Sequence, residues 1–308
     1  MIDILMATYN GEKYIAEQID SILNQSFKEW VVYIRDDGSK DNTVSIIKEY
    51  IEKYPDKIFL IEDNKKGLGA KLNFAELLKY SKNQYTMFCD QDDFWLEDKI
   101  ETTLNEMKNM EDKYGKIAPI LVHTDLQVVD GDLNMLDQSL WDYIYIDARR
   151  NSINYLMVQN TVTGCTVMIN KALKNITNNI PQKAIMHDHW LAIVASVFGQ
   201  IGIVDKPTML YRQHGSNEVG AKKISWLERI KRKFKNSKEP FNRLNNEITQ
   251  MEAFYEMFES ELYDENKELI LDFINLKHYN AIKRKYKMMK NKYYVKAMLD
   301  RIKNLVFI

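Results

Sequence analysis

Apolar runs and helix-like repeats alternate along the first hundred residues of the chain. Each apolar run is short and continuous, which is typical of a strand buried on both faces. Between the runs, apolar side chains recur at every third or fourth position, which predicts amphipathic helices. This alternation indicates an α/β fold with a mixed, mostly parallel sheet and helices on both faces. The predicted strands are 2–7, 30–34, 58–61 and 85–89, and the predicted helices are 12–24, 44–54 and 70–80.

The pattern is less regular beyond residue 115. We expect one or two strands within 117–129, a pair of strands within 157–170, a helical piece from Leu173 and an apolar helix over 185–197. After Gly220 glycine and proline nearly vanish, which favours helices to the end of the chain. The pattern therefore predicts a sheet domain over residues 1–220 and a helical extension over residues 221–308.

Composition narrows the class of protein. The 308 residues carry 43 Lys and Arg against 44 Asp and Glu, and 45% are hydrophobic, enough to form a substantial core. Two cysteines exclude a disulfide scaffold, and the balanced charge argues against a nucleic-acid binder. The first residues lack the basic region of a signal peptide, and the longest apolar run is too short to span a bilayer. We therefore expect a cytoplasmic protein without a membrane span.

The near-zero net charge conceals segregation in the helical extension. Residues 222–243 hold nine basic and two acidic side chains, 277–308 hold ten and one, and 244–276 hold one and nine. In the first basic block apolar residues recur at helical spacing, which predicts peripheral contact with an anionic membrane. The alternative is that these helices pack on the sheet domain or on the acidic middle segment. The apolar residues are Ile224, Leu227, Ile230 and Phe234.

Polar clusters follow three of the predicted strands, at 8–10, 36–38 and 90–93. Ligands of such sheets lie at the carboxyl ends of the strands, so these clusters should converge. The cluster 90–93 places three carboxylates within four residues, which predicts a compensating cation, Mg²⁺ or Mn²⁺. The alternative is a solvated turn that caps the next helix at Asp92 or Asp93.

An ordered set of short motifs over about residues 1–220 resembles the inverting nucleotide-sugar glycosyltransferases of family 2. The segments Asp-Gln-Asp-Asp-Phe-Trp (90–95) and Tyr-Arg-Gln-His (211–214) are most similar to those of the rhamnosyltransferase-like branch. The resemblance implies the GT-A fold, a Rossmann-like nucleotide-sugar-binding sheet. Each motif alone is weak, whereas their order and spacing together are specific. The motifs are Ala-Thr-Tyr-Asn-Gly (7–11), Asp-Asp-Gly-Ser (36–39), Gly-Leu-Gly-Ala-Lys-Leu-Asn (67–73), Asp-Gln-Asp-Asp (90–93), Thr-Gly-Cys-Thr (163–166), His-Asp-His-Trp (187–190) and Tyr-Arg-Gln-His (211–214).

The resemblance also implies which residues hold the nucleotide sugar. Thr8 and Tyr9 would line the base pocket, Asp37 would accept from the base, and Asp36 would order its turn. Asp37 alone is equally explained as a turn carboxylate, and Gly67 as part of a loop that caps a helix. The implied donor-binding set is Thr8, Tyr9, Asn10, Asp37, Gly69, Asn73, Asp90 and Arg212.

For the metal, the resemblance implies Asp92, with Asp93 and His214 as further candidates. Asp188 resembles the catalytic aspartate, which takes the proton of the acceptor hydroxyl. Alternatively, Asp188 is a carboxylate that the N-terminus of a helix stabilises. On the acceptor side the resemblance implies His187 and His189 as orienting or acceptor-contact residues. Trp190 and Trp95 could stack on sugars, although a buried aromatic ring is the common default.

These inferences predict a metal-dependent inverting glycosyltransferase. Its donor would be a dTDP- or UDP-sugar, with dTDP-rhamnose one candidate, and its acceptor a glycan or lipid-linked glycan of a surface polysaccharide at the inner face of the membrane. The alternatives are a galactosyl- or glucosyltransferase of the same family and a catalytically silent nucleotide-binding scaffold. A nucleotidyltransferase is less consistent, because its glycine-rich, lysine-containing opening loop is absent.

Overall fold

A computed structural model describes residues 1–177, 179–214 and 239–293. Nine strands form one mixed sheet in the order β3-β2-β1-β4-β8-β6-β9-β5, with β7 paired to β6. The strands are β1 (Ile2–Thr8), β2 (Trp30–Asp36), β3 (Ile58–Leu60), β4 (Tyr85–Asp90), β5 (Phe94–Trp95), β6 (Ile120–Val129), β7 (Met135–Asp137), β8 (Met168–Asn170) and β9 (Gln200–Arg212). The helices are α1 (Ile15–Leu23), α2 (Thr43–Lys53), α3 (Gly69–Leu78), α4 (Lys99–Tyr114), α5 (Leu140–Tyr143), α6 (Ile153–Leu156), α7 (Lys171–Ile176), α8 (His187–Phe198), α9 (Glu239–Phe258), α10 (Asp264–Ile274) and α11 (Ala281–Lys290).

The predicted alternation in the first hundred residues is confirmed. Strand β1 lies between β2 and β4 and pairs in parallel with both, and β2 pairs in parallel with β3. Continuous apolar strands suit this position, because β1 is covered on both faces. The parallel register brings the carboxyl ends of β1, β2 and β4 to one edge of the sheet, with Thr8 opposite Asp36 and Ala7 opposite Asp90.

The second half of the sheet is partly antiparallel. The short strand β8 runs antiparallel to both β4 and β6, while β6 and β9 form a long parallel pair. The sequence predicted two strands within 157–170, which is wrong, because only β8 forms there. Residues Gly164–Thr166 make a 3-10 turn instead of a strand. A Cβ at Gly164 would lie 2.8 Å from His187 Nε2, so glycine lets this turn pass close to α8.

The helical extension packs on α8. The rings of Phe254 and Phe258 in α9 contact Trp190 and Phe198 in α8. Apolar residues of α9, α10 and α11 belong to the same buried cluster as β1 and α3. The largely helical extension is therefore confirmed over 239–293, and here it covers the sheet domain.

The predicted interfacial helix around residues 224–234 and the last part of the second basic block lie outside the described residues. Within the three described ranges, no helix combines the length and the apolarity needed to cross a bilayer.

Candidate active site

A cavity of about 540 Å³ opens at the carboxyl ends of β1, β2 and β4. The structure brings most of the predicted donor and metal residues to its wall, as the parallel register requires. Gln91, Met186 and Tyr211 also line the wall, and none of them was predicted to bind the donor or the metal. The predicted residues in the wall are Thr8, Tyr9, Asp37, Gly69, Asn73, Asp90 and Asp92.

Asp37 joins the end of β2 to the start of α3. Its two carboxylate oxygens accept hydrogen bonds from Leu68 N at 3.0 Å and Gly69 N at 2.8 Å. Gly69 has a φ of 73°, a conformation that favours glycine, so the loop can turn into the helix here. Asp37 is therefore a turn carboxylate that also faces the cavity, and it fixes the position of the glycine loop.

A buried arginine, Arg35, holds this corner together. Its guanidinium pairs with Asp63 at 2.9 Å and Asp37 at 3.3 Å, and donates to Asn73 Oδ1 at 3.0 Å. Asn73 Nδ2 donates back to the Arg35 carbonyl at 3.2 Å. Both ends of the Asn73 amide are thus held by Arg35, so Asn73 presents a fixed side chain to the cavity. The only signal for this arginine in the sequence is its place at a strand end.

The end of β1 is tied to the turn after β2. Thr8 Oγ1 donates to Asp36 Oδ1 at 3.1 Å, and Asp36 Oδ2 accepts from Gly38 N at 2.9 Å and Ser39 N at 2.8 Å. The expectation that Asp36 orders its turn is confirmed. Asn10, at a positive φ of 48°, accepts from Lys40 N at 2.8 Å and lies outside the cavity wall.

Gln91 clamps the backbone of Tyr9. Its Oε1 accepts from Tyr9 N at 2.8 Å, and its Nε2 donates to Tyr9 O at 2.9 Å. The amide stands against Gly11, where a Cβ would lie 2.2 Å from Gln91 Oε1. Tyr9 itself is about half exposed, so the clamp fixes the backbone while the ring remains accessible. The central position of the Asp-Gln-Asp-Asp motif was the signal that could have identified Gln91.

Asp92 and His214 meet at the edge of the cavity. His214 Nε2 lies 2.8 Å from Asp92 Oδ2, and the His214 ring lies 4.8 Å from that of Tyr14. Two ligands of an octahedral ion bound at about 2.1 Å lie about 3 Å apart, so this spacing suits a shared divalent cation. An oxygen and an imidazole nitrogen are both donors that Mn²⁺ accepts, and Mg²⁺ suits the oxygen. The pair therefore fits the predicted metal.

Asp93 has no exposed surface. Its Oδ1 accepts from Arg212 N at 3.1 Å. A carboxylate oxygen of Asp93, one of Asp90 and the Cys165 Sγ lie within 4.8 Å of one another, so these three residues could also hold a cation. Burial, together with the neighbouring Asp92 and Asp90, raises the pKa of Asp93 well above its usual range. Burial also raises the pKa of Cys165. Asp93 and Cys165 lie outside the cavity wall, whereas Asp92 is part of it, so Asp92 with His214 is the better-placed metal pair.

Arg212 crosslinks the elements around this edge. Its guanidinium is nearly buried and donates to the Asp92 carbonyl at 2.9 Å, to the Gly131 carbonyl at 2.7 Å and to Glu17. It also lies over the Tyr14 ring, 4.6 Å from its centroid. The resemblance places Arg212 among the donor-binding residues, but the structure engages its guanidinium with the protein, outside the cavity wall. Arg212 instead holds the Asp92 loop in place.

Asp188 lies in the first turn of α8, directly after Met186 and His187. Its Oδ1 accepts from His189 N at 2.6 Å. Burial raises the pKa of Asp188 to about 6, an effect opposed by donors that include Gly164 N and the Asn160 side chain. A carboxylate with this pKa is ionised at neutral pH and more basic than an exposed one, which suits a general base. Met186 places the start of this segment at the cavity wall.

The residues around Asp188 are buried. Trp190 is fully enclosed by the α9 rings, and both nitrogens of the His189 ring face protein partners, the Leu156 carbonyl at 2.6 Å and Gln250 at 3.3 Å. The ring of His187 packs on Phe74 and is likewise buried. The expected contacts of His187, His189 and Trp190 with an acceptor are therefore corrected, because none of the three has an exposed face. The sequence did not show that α9 covers them.

Comparison with known proteins agrees with this geometry. The family model described as Glycosyl transferase family 2 matches residues 3–177. The chain is 34% identical over 236 residues to the dTDP-rhamnosyl transferase RfbG of Shigella flexneri, across 74% of this chain and 77% of that protein.

Solved structures share the fold at lower identity. One is S. aureus TarS 1-349 in complex with UDP-GlcNAc, with a TM-score of 0.58 and 16% identity over 94% of this chain and 78% of that chain. Another is the mannosyltransferase PcManGT from Pyrobaculum calidifontis in complex with GDP-Man and Mn²⁺, with a TM-score of 0.51 and 15% identity over 99% and 87% of the two chains. At this identity the likeness shows a common architecture, a mixed sheet flanked by helices.

Proposed function

Because the chain belongs to glycosyl transferase family 2 and has the GT-A fold, we propose that it moves a sugar from a nucleoside-diphosphate donor to a glycan or lipid-linked acceptor, with inversion. The observation that carries this proposal is one cavity whose wall holds Asp92, the glycine loop and Met186; Asp92 contacts His214, and Met186 precedes Asp188 by two residues. The proposed donor is a dTDP- or UDP-sugar. The relative named as a dTDP-rhamnosyl transferase makes dTDP-rhamnose the first candidate, in the synthesis of a surface polysaccharide.

In this proposal the nucleotide lies along the ends of β1 and β2. The accessible Tyr9 ring stacks on the base, and Asp37 and Thr8 present oxygen atoms to its edge. Gly69 lets the backbone approach the donor, with Asn73 held beside it by Arg35. Asp90 faces the same cavity and accepts from sugar hydroxyls.

Asp92 and His214 would hold Mg²⁺ or Mn²⁺, which would supply positive charge to the leaving diphosphate. Arg212 fixes the Asp92 loop and Tyr14 supports the His214 ring, so the two ligand atoms lie close together. Asp92 lines the cavity, which favours this pair over Asp93 and Cys165, which are buried outside its wall.

Asp188 acts as the base in a single displacement. The acceptor oxygen forms a bond to the anomeric carbon as the bond from that carbon to the diphosphate oxygen breaks, and the acceptor's proton passes to the Asp188 carboxylate. Attack from the face opposite the leaving group inverts the configuration. The pKa of about 6 supports this role, because the carboxylate is ionised at pH 7 and yet basic enough to take the proton.

We further propose that residues 1–220 form the catalytic domain and that the extension, residues 221–308, contacts an anionic membrane peripherally. One face of α11 supports the membrane contact, because Ile282, Tyr286 and Met289 are exposed there at i, i+4 and i+7. Lysines flank this face, which we call the α11 face. Such a contact places the active site near a lipid-linked acceptor at the inner face of the membrane.

The test is a panel of nucleotide sugars, including dTDP-rhamnose, UDP-glucose, UDP-galactose and UDP-GlcNAc. Each is scored with the full chain for donor hydrolysis, for transfer and for thermal shift, with Mg²⁺, with Mn²⁺ and with EDTA. We expect one diphosphate sugar to give metal-dependent turnover. Turnover of UDP-glucose or UDP-galactose would favour the alternative of the same family. Thermal shift without turnover of any donor would indicate the silent binding module.

A further inference from the structure

Gln250 connects the extension to the segment that carries Asp188. Its side chain has no exposed surface, although it lies in the middle of α9. Gln250 Oε1 accepts from Ile185 N at 2.7 Å, and Gln250 Nε2 lies 3.3 Å from His189 Nδ1. Ile185 precedes Asp188 and His189 follows it. A single amide of the extension therefore holds both flanks of the proposed base.

The hydrogen bonds around Gln250 specify one protonation state. Ile185 N is a donor, so the amide oxygen must face it and the amide NH₂ must face His189. The Leu156 carbonyl accepts at 2.6 Å, so His189 Nε2 carries the ring proton and Nδ1 is the acceptor. Each hydrogen bond in this series, from Ile185 N through Gln250 and His189 to the Leu156 carbonyl, then joins one donor to one acceptor. Burial lowers the pKa of His189 to about 4, which agrees with a neutral ring.

The same loop is held from the opposite side by α3. Lys71 Nζ donates to the carbonyls of Gln182 and Ala184, both at 2.7 Å. Lys71 follows Gly69 and Ala70, which line the cavity. The loop before α8 thus lies between the donor-binding helix and α9, and its position is set by both.

We propose that Gln250 is a positioning residue for sugar transfer: by fixing Ile185 and His189 it orients the Asp188 carboxylate. The extension then supplies part of the machinery for the displacement in addition to covering the core. This inference rests on the proposed function, in which Asp188 is the base. It also explains why this polar side chain is buried between α8 and α9, since the oxygen and the nitrogen of the amide each have a partner.

Two variants separate positioning from packing. Gln250→Leu keeps the size and removes both hydrogen bonds. Gln250→Glu keeps the acceptor for Ile185 N but removes the amide donor to His189 Nδ1, so either the new carboxyl is protonated and donates to Nδ1 or the His189 ring carries two protons. Asp188 lies on the same helix. From α9, the positive charge of Arg243 helps to lower the pKa of His189, and Arg243 is itself paired with Glu247 at 2.9 Å. A charged His189 beside Asp188 lowers the pKa of the base.

The experiment combines kinetics with ¹⁵N NMR of the histidine rings, with His189→Gln to assign the signals. We expect Gln250→Leu to lower kcat about 10- to 100-fold while the donor KM stays within about threefold. In Gln250→Glu we expect the His189 Nδ1 signal to shift at pH 7 and, if the ring takes up the second proton, the acidic limb of kcat/KM to move to lower pH. Glu256→Gln is the matched control. It removes an exposed ion pair between the same helix and the same loop, Lys183–Glu256, and should leave kcat within about twofold.

An unchanged His189 Nδ1 signal in Gln250→Leu would overturn the proposal, whether or not the enzyme is active, because this variant removes the hydrogen bond to that nitrogen. An active wild type whose Gln250→Leu variant keeps kcat within about twofold overturns the positioning role alone. A wild type that transfers no sugar overturns the proposed function instead, so the two failures are distinct.

Discussion

Asp92 and His214 lie in hydrogen-bond contact, 2.8 Å apart, although 122 positions separate them in the chain. The antiparallel pairing of β5 with β9 brings them together, because Asp92 precedes β5 and His214 follows β9. Arg212 contacts the Asp92 carbonyl and Tyr14 contacts the His214 ring. A carboxylate and an imidazole that face each other at the edge of a donor cavity have the spacing of two ligands on one ion.

We predict that Asp92→Asn and His214→Ala each raise the Mn²⁺ concentration for half-maximal turnover by at least about tenfold. Each variant removes one of the two donors that face each other, and the remaining donor holds the ion less tightly. The measurement is initial rate against free Mn²⁺, started from EDTA-treated protein. Asp98→Asn is the control, because Asp98 pairs with Lys206 on the surface and lies outside the cavity wall. Full activity of the wild type in EDTA would contradict the metal role.

For Asp188→Asn we expect a fall in kcat of about 10²- to 10⁴-fold, the usual contribution of a general base. Because the base acts as a carboxylate, wild-type kcat/KM should decline as the pH falls through about 6, the pKa of Asp188 in the free protein. A pH profile between 4.5 and 8 measures this limb. Asp112→Asn, an exposed change on α4, should leave the profile unchanged.

The same variant makes a prediction about stability. The folded protein raises the pKa of Asp188 above its ordinary value of 3.8, so the folded state binds the proton more tightly between about pH 4 and 6. Stability therefore falls as the pH rises through this window, and the ionised form costs stability at pH 7. Asp188→Asn should keep or raise Tm at pH 7 while it lowers kcat as stated above. A lower Tm would show that activity was lost by unfolding.

Gly11→Ala tests the clamp that Gln91 forms on Tyr9. The added Cβ would meet the Gln91 amide, which is the mobile end of a side chain, so the amide should swing away at little cost in Tm. Tyr9 then loses both backbone partners, and we expect the donor KM to rise about three- to tenfold. Gln91→Ala should have the same effect. If displacement of Gln91 is the cause, the double variant is no worse than either single one, whereas additive effects would contradict it.

Local patterning predicted the parts of this site that lie close together in sequence. Continuous apolar runs and helical repeats identified β1 to β4 and α1 to α3, and the rule for parallel sheets brought the motifs 8–10, 36–38 and 90–93 to one edge. That edge was predictable because it depends only on strand direction and on the polar residues that end each strand.

Contacts between distant elements could not be predicted in this way. His189 and Trp190 belong to a polar-looking motif, yet α9 buries them, and no local pattern states which helix covers which face. Similarly, the sequence alone suggests that Arg212 is available to bind a ligand, whereas in the fold its guanidinium donates to Glu17 and to the carbonyl of Asp92. Side-chain roles that depend on tertiary partners require the structure.

The α11 face offers a last prediction. Ile282, Tyr286 and Met289 are 84%, 60% and 63% exposed, whereas Met288 on the opposite side is buried. Lys287 pairs with Asp272 and fixes the helix with this apolar face outward. An exposed apolar stripe on a helix rich in lysine is typical of a helix that lies in the headgroup region of a membrane.

We expect the full chain to sediment with liposomes that contain anionic phosphatidylglycerol and to be released as salt rises, because each lysine near such a surface contributes about 1 kcal/mol that ions screen. Replacing Ile282, Tyr286 and Met289 together by Glu should weaken this binding at least about tenfold, since it removes apolar burial and adds negative charge. Tyr263→Glu is the matched control, because Tyr263 is equally exposed but lies outside α11. Equal sedimentation of the triple variant would assign any membrane binding to the basic charge of the extension alone, and sedimentation with neutral liposomes would exclude charge as its cause.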